Sequence, residues 1–598
     1  MLVVAFSIVL LRLAQMQLLQ GAAYRQLAEQ NRLRVVPEPA PRGLILDRLG
    51  RRLATTRIVF QVAAVPQDLP STPRASAPHR LLRGVRPAPR SGLLREAVDR
   101  QTVFARLGPV VGLTSLELER RFNEQLTLPF LPATLLTHVP KATALRLEEA
   151  HLLLPGIVVE PVAMRDYPLG TAAAHLLGYV GQPSEETFAT LKQYGVHPQD
   201  LVGRTGLEQQ LDAELRGHSG GSLIEVDHRA RQVQTLGHRE PTPGQPVTLT
   251  IDARLQQLIA HAFGQQSGAA VVLRPQTGEL LAMVSVPAFE PEAFATQDQL
   301  AIRGLLADPR SPLMNRAADG LYLPGSIVKP VIAATALEQG VMAPRTAIHC
   351  PGSLTIGDRV FHCWKRDGHG LMTMREALLY SCNVYFLEVG RRLGRERLRA
   401  GYLGVGFGRR TGWSPDEQAG HLPFGRHLTE GEVAMLAIGQ GEILITPLQA
   451  AVMVSAIANG GWLVEPWVVK TTERDSTARA HASSVGWSAA TLATIREGML
   501  AVINDPHGTG IRAHSETVRI AGKTGTAQTH KPGQTHGWFI GFCPAEQPVA
   551  ALAIVAEYGG SGGDLPASIG KAVCEYLMAQ DASSATSPTP TSPAPRNL

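Results

Sequence analysis

A serine and a lysine three positions apart, Ser326 and Lys329, follow a Pro-Gly pair in the segment LYLPGSIVKPVIAATALEQG. Gly325 permits a sharp turn, and Pro330 fits the first turn of a helix, where no amide hydrogen bond is lost. Residues at positions i and i+3 share one helix face, so a desolvated Lys329 can act as the base for the Ser326 hydroxyl. The free N–H groups of the helix N-terminus can stabilise an oxyanion. The competing interpretation is a capping serine beside a solvated lysine.

Two later segments supply further polar groups for such a nucleophile. YSCNVYF carries a hydroxyl and an amide at Ser381 and Asn383. RIAGKTGTAQ supplies the positive charge of Lys523 and two threonine hydroxyls, and we expect Gly525 between them to let a ligand backbone approach closely. If this segment is an edge strand, a peptide can pair with it. Together the segments predict an acyl-transfer site built from Ser326, Lys329, Ser381, Asn383, Lys523, Thr524, Gly525 and Thr526.

The chain has five cysteines, so at least one thiol has no disulfide partner within the chain. Three of them lie close together in the sequence, with a histidine among them, and three thiols with one imidazole are a ligand set that structural zinc accepts. The spacing is not that of a zinc finger, and a Cys350–Cys363 disulfide or buried thiols are the alternatives. Cys543 and Cys574 are expected in the core, with a disulfide as the alternative. The candidate zinc ligands are Cys350, Cys363, His369 and Cys382.

The elements that must position these residues follow one another in blocks. Strand and hairpin patterns occur between 246 and 290, helical patterns dominate from 326 to about 460, and strand patterns return from 517. A last helix is predicted over 566–579. This order favours an α+β domain with one antiparallel sheet packed against helices. The predicted units are a partial transmembrane anchor at 1–20, an elongated N-terminal domain at 21–245, the α+β domain at 246–579 and a disordered tail at 580–598.

The composition is that of an ordinary globular protein, with 44% hydrophobic and 18% charged residues among 598 and a formal net charge of +6. The positive charge favours either solubility or attraction to an anionic surface, and there is no dense basic run of the kind that binds nucleic acid. The start, MLVVAFSIVLLRLAQMQLL, predicts the outer half of an uncleaved anchor helix whose cytoplasmic part precedes residue 1. A buried amphipathic helix is the alternative, and a cleaved signal peptide fits poorly.

In this order, the three motifs S-x-x-K, S-x-N and K-T-G-T resemble those of penicillin-binding proteins. The chain is similar to the class B members, in particular to the elongation-type branch, over nearly its whole length. CWKRDGHG resembles the Trp-Lys and Gly-His-Gly stretch of that branch. PRGLILDRLGRRLA resembles the class B N-terminal signature through Arg42, Gly43, Asp47, Arg48 and Gly50. GRTGLEQQLDAELRGHSG resembles a second signature through Gly203, Gly206, Glu208, Leu215, Arg216 and Gly217.

The resemblance implies a penicillin-binding transpeptidase domain, with a serine β-lactamase-like fold, on a non-catalytic pedestal (dimerisation-type) domain. It implies that Ser326 attacks the bond between the terminal D-alanines of a stem peptide, with Lys329 as base. Ser381 would relay a proton to the leaving group, and Asn383 would orient the peptide and the lysine. Backbone N–H groups of Ser326 and Thr526 would form the oxyanion hole.

The family also implies how the substrate is held and how the reaction ends. Lys523, Thr524 and Thr526 would hold the substrate carboxylate. An amine of a neighbouring stem peptide would open the acyl-enzyme and form the cross-link, and β-lactams would trap the serine. The alternatives are a D,D-carboxypeptidase or β-lactamase-like hydrolase, a non-enzymatic β-lactam sensor, and a division-type transpeptidase.

Partners, location and cofactor are implied in the same way. The resemblance implies a single-pass protein of the cell inner membrane with its catalytic domain in the periplasm. A RodA-like SEDS glycosyltransferase and an MreC-like scaffold are the implied partners. Some relatives carry zinc beside the second motif, which favours structural zinc at the cysteine cluster, while catalysis is expected to need no cofactor.

Overall fold

The structure is a computed structural model that describes residues 2–20, 32–70, 99–126, 131–194, 196, 200–227, 232–471, 482–529 and 531–585. The chain starts with helix α1 (Leu2–Ala14), which continues into a π-helical turn at Gln15–Leu19. Among the described helices, none combines the length and the apolar character that crossing a membrane requires.

The N-terminal half is built on two sheets with helices packed beside them. Its strands are β1 (Leu33–Glu38), β2 (Ile45–Leu46), β3 (Arg52–Ala64), β4 (Ala133–Val139), β5 (Ile157–Asp166), β6 (Val180–Gly181), β7 (Val202–Gly203), β8 (Gly220–Val226) and β9 (Gln232–Arg239). Its further helices are α2 (Arg100–Val111), α3 (Ser115–Gln125), α4 (Lys141–Glu149), α5 (Ala174–Leu177), α6 (Glu185–Leu191), α7 (Gly206–Gln210) and α8 (Asp212–Arg216). One main sheet has the order β1-β8-β9, in the second main sheet β3 pairs with β2, β4 and β5, and β6 pairs with β7 in a separate two-stranded sheet.

A buried ion cluster holds the N-terminal half together. Glu208 is fully buried and accepts hydrogen bonds from Arg42 Nε and Arg165 Nε, both at 2.6 Å. Arg42 also donates to Asp212 at 2.8 Å, and Arg165 donates to the Gly43 carbonyl at 2.7 Å. The residues of both predicted N-terminal signatures therefore meet in one network. Because each buried charge has a partner of opposite sign, the cluster avoids the large penalty of an isolated buried ion.

The C-terminal half contains the predicted α+β domain. Its strands are β10 (Val247–Thr248), β11 (Gly268–Leu273), β12 (Leu280–Val286), β13 (Ile348–Cys350), β14 (Ser353–Ile356), β15 (Arg359–His362), β16 (Gly370–Met372), β17 (Trp462–Leu463), β18 (Ser483–Ser484), β19 (Ala521–Gln528), β20 (Thr535–Cys543) and β21 (Ala550–Ala556). Its helices are α9 (Ala253–Phe263), α10 (Glu292–Ala295), α11 (Gln299–Ala307), α12 (Lys329–Glu338), α13 (Met374–Leu379), α14 (Asn383–Gly404), α15 (Glu430–Leu436), α16 (Pro447–Ala458), α17 (Ala489–Asn504) and α18 (Leu565–Ala585).

One five-stranded sheet, in the order β12-β11-β21-β20-β19, organises this half, and all its pairs are antiparallel. Strands β11 and β21 are buried along their whole length, so helices cover both faces of the sheet. The predicted antiparallel sheet with packed helices is confirmed. Strand β19, which carries the K-T-G-T motif, lies at the edge of this sheet, as the peptide-pairing hypothesis requires.

Two features of this half differ from the sequence predictions, and a third decides an alternative. Two small two-stranded sheets, β13–β16 and β14–β15, interrupt the helical block. The last helix continues to Ala585 rather than ending at 579, so 580–585 do not belong to a disordered tail. Cys543 and Cys574 are buried in the core, as predicted, and they also form the disulfide that was the alternative, which joins the end of β20 to α18. Residues 586–598 lie outside the described part of the chain.

The two halves are joined by an arginine between two buried carboxylates. Arg51 donates to Asp47 at 2.6 Å and to Asp252 at 2.7 Å. The Tyr576 hydroxyl, on α18, also donates to Asp252. The N-terminal half is therefore tied to both α9, which Asp252 caps, and the C-terminal helix.

Candidate active site

The Ser326 turn is shaped by two glycines. Gly325 has a φ of +56°, in the left-handed region that favours glycine, and its N–H donates to the Gly439 carbonyl at 2.9 Å. A Cβ on Gly439 would lie 2.1 Å from the Gly325 carbonyl oxygen. Residues 325–328 form a 3₁₀ turn that leads directly into α12, with Pro330 in its first turn as predicted. The turn leaves Ser326 half-buried between neighbours that are fully buried.

Lys329 lies fully buried behind this turn. Its Nζ donates to the Ser381 carbonyl at 2.8 Å, to Ser381 Oγ at 3.2 Å and to Asn383 Oδ1 at 2.8 Å. Burial lowers the pKa of Lys329 to about 8, because the charged form loses its hydration. Within the described residues no hydrogen bond joins Ser326 Oγ to Lys329. The Lys329 amine is thus hydrogen-bonded to the second motif rather than to Ser326. Its lowered pKa suits a base near neutral pH.

Ser381 accepts hydrogen bonds from two lysines. Lys523 Nζ donates to Ser381 Oγ at 3.0 Å and to the Thr524 carbonyl at 2.8 Å. Burial, together with the charge of Lys329, holds the pKa of Lys523 well below its usual value. Ser381 has a φ of +52°, which is uncommon for a residue with a side chain, and such strained positions concentrate at functional sites. The hydroxyl is therefore the point at which all three motifs meet.

The three residues of β19 that follow Lys523 differ from one another in their surroundings. Thr526 is exposed, whereas the Thr524 hydroxyl donates to Thr509 Oγ1 at 2.7 Å. Gly525 is closely packed on the side where a side chain would begin. A Cβ on Gly525 would lie 2.9 Å from Ile327 Cγ2, 3.1 Å from Trp538 Cβ and 3.2 Å from the Pro324 oxygen. The glycine is needed for β19 to pack against the Ser326 turn.

Two residues at this site were not found from the sequence. Thr509 precedes the K-T-G-T motif by fourteen positions, and only its place between Gly508 and Gly510 signals a tight loop. Trp364 lies within the quoted CWKRDGHG segment and donates its indole N–H to the Tyr380 carbonyl at 3.0 Å, directly before Ser381. The contact between Trp364 and the second motif depends on the two small sheets formed by β13 with β16 and β14 with β15, which were not predicted.

The four candidate metal ligands also come together. The ligand atoms of Cys350, Cys363, His369 and Cys382 all lie within 4.8 Å of one another. Three of these residues are buried, and none of the three thiols forms a disulfide, so the alternative of a Cys350–Cys363 disulfide is wrong. A hydrogen bond between Cys363 and Cys382 lowers the pKa of the Cys363 thiol and raises that of Cys382. The donor set fits a tetrahedral site, in which Zn–S bonds of ~2.3 Å place sulfurs about 3.8 Å apart.

Comparison with known protein families identifies one domain in each half of the chain. Residues 37–249 match the penicillin-binding protein dimerisation domain, and residues 268–575 match the penicillin-binding protein transpeptidase domain. This chain belongs to the penicillin-binding protein family. All eight predicted active-site residues lie within the matched transpeptidase domain.

Relatives and solved structures place the chain more closely within the penicillin-binding proteins. Peptidoglycan D,D-transpeptidase MrdA of Acinetobacter baumannii is 30% identical over 614 residues, which cover 95% of this chain and 84% of the relative. MrdA of Escherichia coli strain K12 is 28% identical, covering 93% of this chain and 89% of the relative. The chain also matches penicillin-binding protein PBP2 of Helicobacter pylori, solved in complex with MreC, with a TM-score of 0.75 and 27% identity over 92% of this chain and 100% of the other. The predicted elongation-type branch and the predicted D,D-transpeptidase activity are confirmed.

Proposed function

We propose that this penicillin-binding protein cross-links peptidoglycan stem peptides during cell-wall elongation through an acyl-enzyme on Ser326. The observation that carries the proposal is that Lys329 and Lys523 both donate to the Ser381 hydroxyl, with Asn383 bonded to Lys329, behind a half-buried Ser326. A nucleophile, a base with a lowered pKa and a proton relay are what acyl transfer requires.

In the acylation step, Ser326 Oγ attacks the carbonyl between the two D-alanines and its proton passes to neutral Lys329. The ammonium that forms has three N–H donors, and the three acceptors around Nζ match them: Ser381 O, Ser381 Oγ and Asn383 Oδ1. The free enzyme therefore already holds the groups that stabilise the charged base. As the C–N bond breaks, the departing D-alanine amine takes a proton by way of Ser381.

The backbone N–H groups of Ser326 and Thr526 are assigned the role of stabilising the developing oxyanion. These two residues are neighbours, since a Cβ on Gly325 would lie 2.9 Å from the Thr526 carbonyl oxygen. The exposed Thr526 hydroxyl and the Thr524 hydroxyl are assigned to the substrate carboxylate. Lys523 Nζ lies beneath them and is bonded to Ser381, so in its charged form it acts on the carboxylate at a distance.

In the second step, an amine of a neighbouring stem peptide attacks the ester carbonyl and Ser326 leaves as an alcohol. The test is a two-substrate assay with a D-Ala-D-Ala pentapeptide and an acceptor amine, followed by mass spectrometry. We expect an amide product and free D-alanine from the wild type, and neither from Ser326→Ala. Exclusive formation of the shortened free acid would favour a D,D-carboxypeptidase. A stable penicillin adduct without peptide turnover, in the presence of both substrates, would favour a β-lactam sensor.

The cysteine cluster is assigned to structural zinc. Cys350, Cys363, His369 and Cys382 would hold the ion, which would fix the segment that precedes Asn383 and supply no step of the reaction. Support comes from three free, buried thiols in a chain whose other two cysteines form a disulfide. Purified protein is expected to contain one zinc ion per chain, and Cys350→Ser is expected to contain less. If the wild type is purified without zinc, and if adding zinc does not change its unfolding temperature, the assignment is excluded.

The partners and the location are assigned by family. An MreC-like scaffold is supported by the likeness to the solved complex of PBP2 with MreC. A RodA-like SEDS glycosyltransferase, an anchor in the inner membrane and a periplasmic catalytic domain follow from the family resemblance. Co-purification of the full chain with each partner from detergent-solubilised membranes tests these assignments, and partition into the soluble fraction would contradict the anchor.

A further inference from the structure

The second motif has an exposed aromatic ring beside it. The Trp364 side chain is 58% exposed, although its indole N–H is fixed at 3.0 Å to the Tyr380 carbonyl, one residue before Ser381. Its ring lies edge-on to His369, with centroids 5.1 Å apart, and His369 in turn stacks on Tyr380 at 5.8 Å. A tryptophan held this firmly loses little entropy on binding a ligand, and its free face offers a large apolar contact area.

The backbone that carries Trp364 is locked by close contacts. A Cβ on Gly352 would lie 1.9 Å from the Arg366 oxygen, and a Cβ on Gly368 would lie 2.2 Å from the Cys350 oxygen. The two segments are therefore in direct backbone contact. The position of the indole relative to Ser381 is thus set by the fold, which is the condition for a precise recognition element.

Two cations accompany the ring. Lys365 and Arg366 are exposed, and within the described part of the chain their charged groups have no ion pair or side-chain hydrogen bond. Asp367 follows them, so the segment from 365 to 367 keeps a net positive charge. An aromatic face next to unpaired cations is complementary to a peptide that carries both apolar groups and carboxylates.

We propose that Trp364, with Lys365 and Arg366, forms a subsite that recognises the acidic part of a stem peptide upstream of its reacting end. The proposal rests on the proposed transpeptidase function and assigns specificity to residues outside the three motifs. Trp364 contacts the peptide chain, and the two cations pair with its carboxylates. A small penicillin lacks that upstream part, so its reaction with Ser326 does not use the subsite.

The test uses the purified full chain, an acidic pentapeptide ending in D-Ala-D-Ala, and a fluorescent penicillin. For Trp364→Ala we expect the KM for the pentapeptide to rise about tenfold, while kcat and the penicillin acylation rate stay within about twofold. Trp462→Ala removes an indole that is 50% exposed on β17 and is the matched control, with no expected change. Equal losses with pentapeptide and penicillin would mean that Trp364 only supports Ser381, and unchanged kinetics with both would exclude the subsite.

The charges are tested by Lys365→Glu combined with Arg366→Glu. We expect about a tenfold higher KM for the acidic pentapeptide at low salt and little change for the same peptide with amidated carboxylates. Arg397→Glu combined with Arg399→Glu, at exposed positions of α14, makes the same change in net charge and is the control. Equal effects on acidic and amidated peptides would overturn the role of the cations. Separate KM values for donor and acceptor peptides show which of the two occupies the subsite.

A fluorescence measurement keeps the proposal testable if Trp364→Ala does not fold. In the non-reacting Ser326→Ala background, the pentapeptide is expected to change tryptophan emission, and the further change Trp364→Phe is expected to abolish that signal. A signal that persists without Trp364 would contradict the contact. If penicillin fails to label wild-type Ser326, the proposed function itself fails, which is distinct from a failure of the subsite alone.

Discussion

Replacing Gly525 by alanine tests whether the contact between β19 and the Ser326 turn sets the geometry of the site. The added Cβ would meet Ile327 Cγ2 at 2.9 Å and Trp538 Cβ at 3.1 Å, both fully buried residues. Carbon atoms in contact prefer 3.5–4.0 Å, so the strand and the turn must separate by about 0.6–1 Å. Overpacking of this kind costs about 1–3 kcal/mol of the free energy of unfolding.

The effect on acylation is expected to exceed the effect on stability. The displaced turn carries Ser326, and a misplacement of about 1 Å lowers a rate by roughly 100-fold. Stopped-flow acylation by a fluorescent penicillin measures the rate, and thermal unfolding measures stability. Gly237→Ala is the control, because this strand glycine of β9 has no atom within 4 Å of the added Cβ. Wild-type acylation and stability for Gly525→Ala would refute the packing explanation of the glycine.

Further predictions concern the base, the disulfide and the buried ion cluster. With the pKa of Lys329 at about 8, the neutral amine and hence the acylation rate rise about fivefold from pH 7 to pH 8. Asn383→Asp is expected to move this rise to higher pH, since a carboxylate beside the ammonium raises the pKa; an unshifted pH–rate profile would contradict the contact. Loss of the disulfide in Cys543→Ser with Cys574→Ser is expected to lower the free energy of unfolding by about 3–4 kcal/mol, because the bond closes a loop of 31 residues. Glu208→Ala leaves two buried guanidinium groups without their shared acceptor. It is expected to lower the free energy of unfolding by about 3–5 kcal/mol, measured by urea unfolding.

The local chemistry of the site could be predicted from the sequence because it depends on short motifs. Ser326 and Lys329 lie on one helical start, and Pro330 and the preceding glycine mark that start. The edge position of β19 was stated only as a condition, and the observed strand order meets it. The four candidate metal ligands could be grouped from the sequence because they lie within 33 positions of one another.

What the sequence did not predict depends on contacts between distant segments. The partners of Lys329 are more than 50 positions away, and Thr509 meets Thr524 only because a loop after α17 returns to β19. The packing role of Gly525 was not predicted, because its neighbours Ile327 and Trp538 come from other elements. The Cys543–Cys574 disulfide required the knowledge that α18 packs beside the end of β20.

The most direct test of the central claim is to identify the residue that penicillin acylates. Purified full-length protein is incubated with penicillin, digested and analysed by mass spectrometry, beside the Ser326→Ala and Lys329→Ala variants. We expect a stable adduct on the peptide that contains Ser326, no adduct for Ser326→Ala, and strongly slowed formation for Lys329→Ala. An adduct on another serine, or undiminished labelling of Ser326→Ala, would contradict the assignment of Ser326 as the nucleophile.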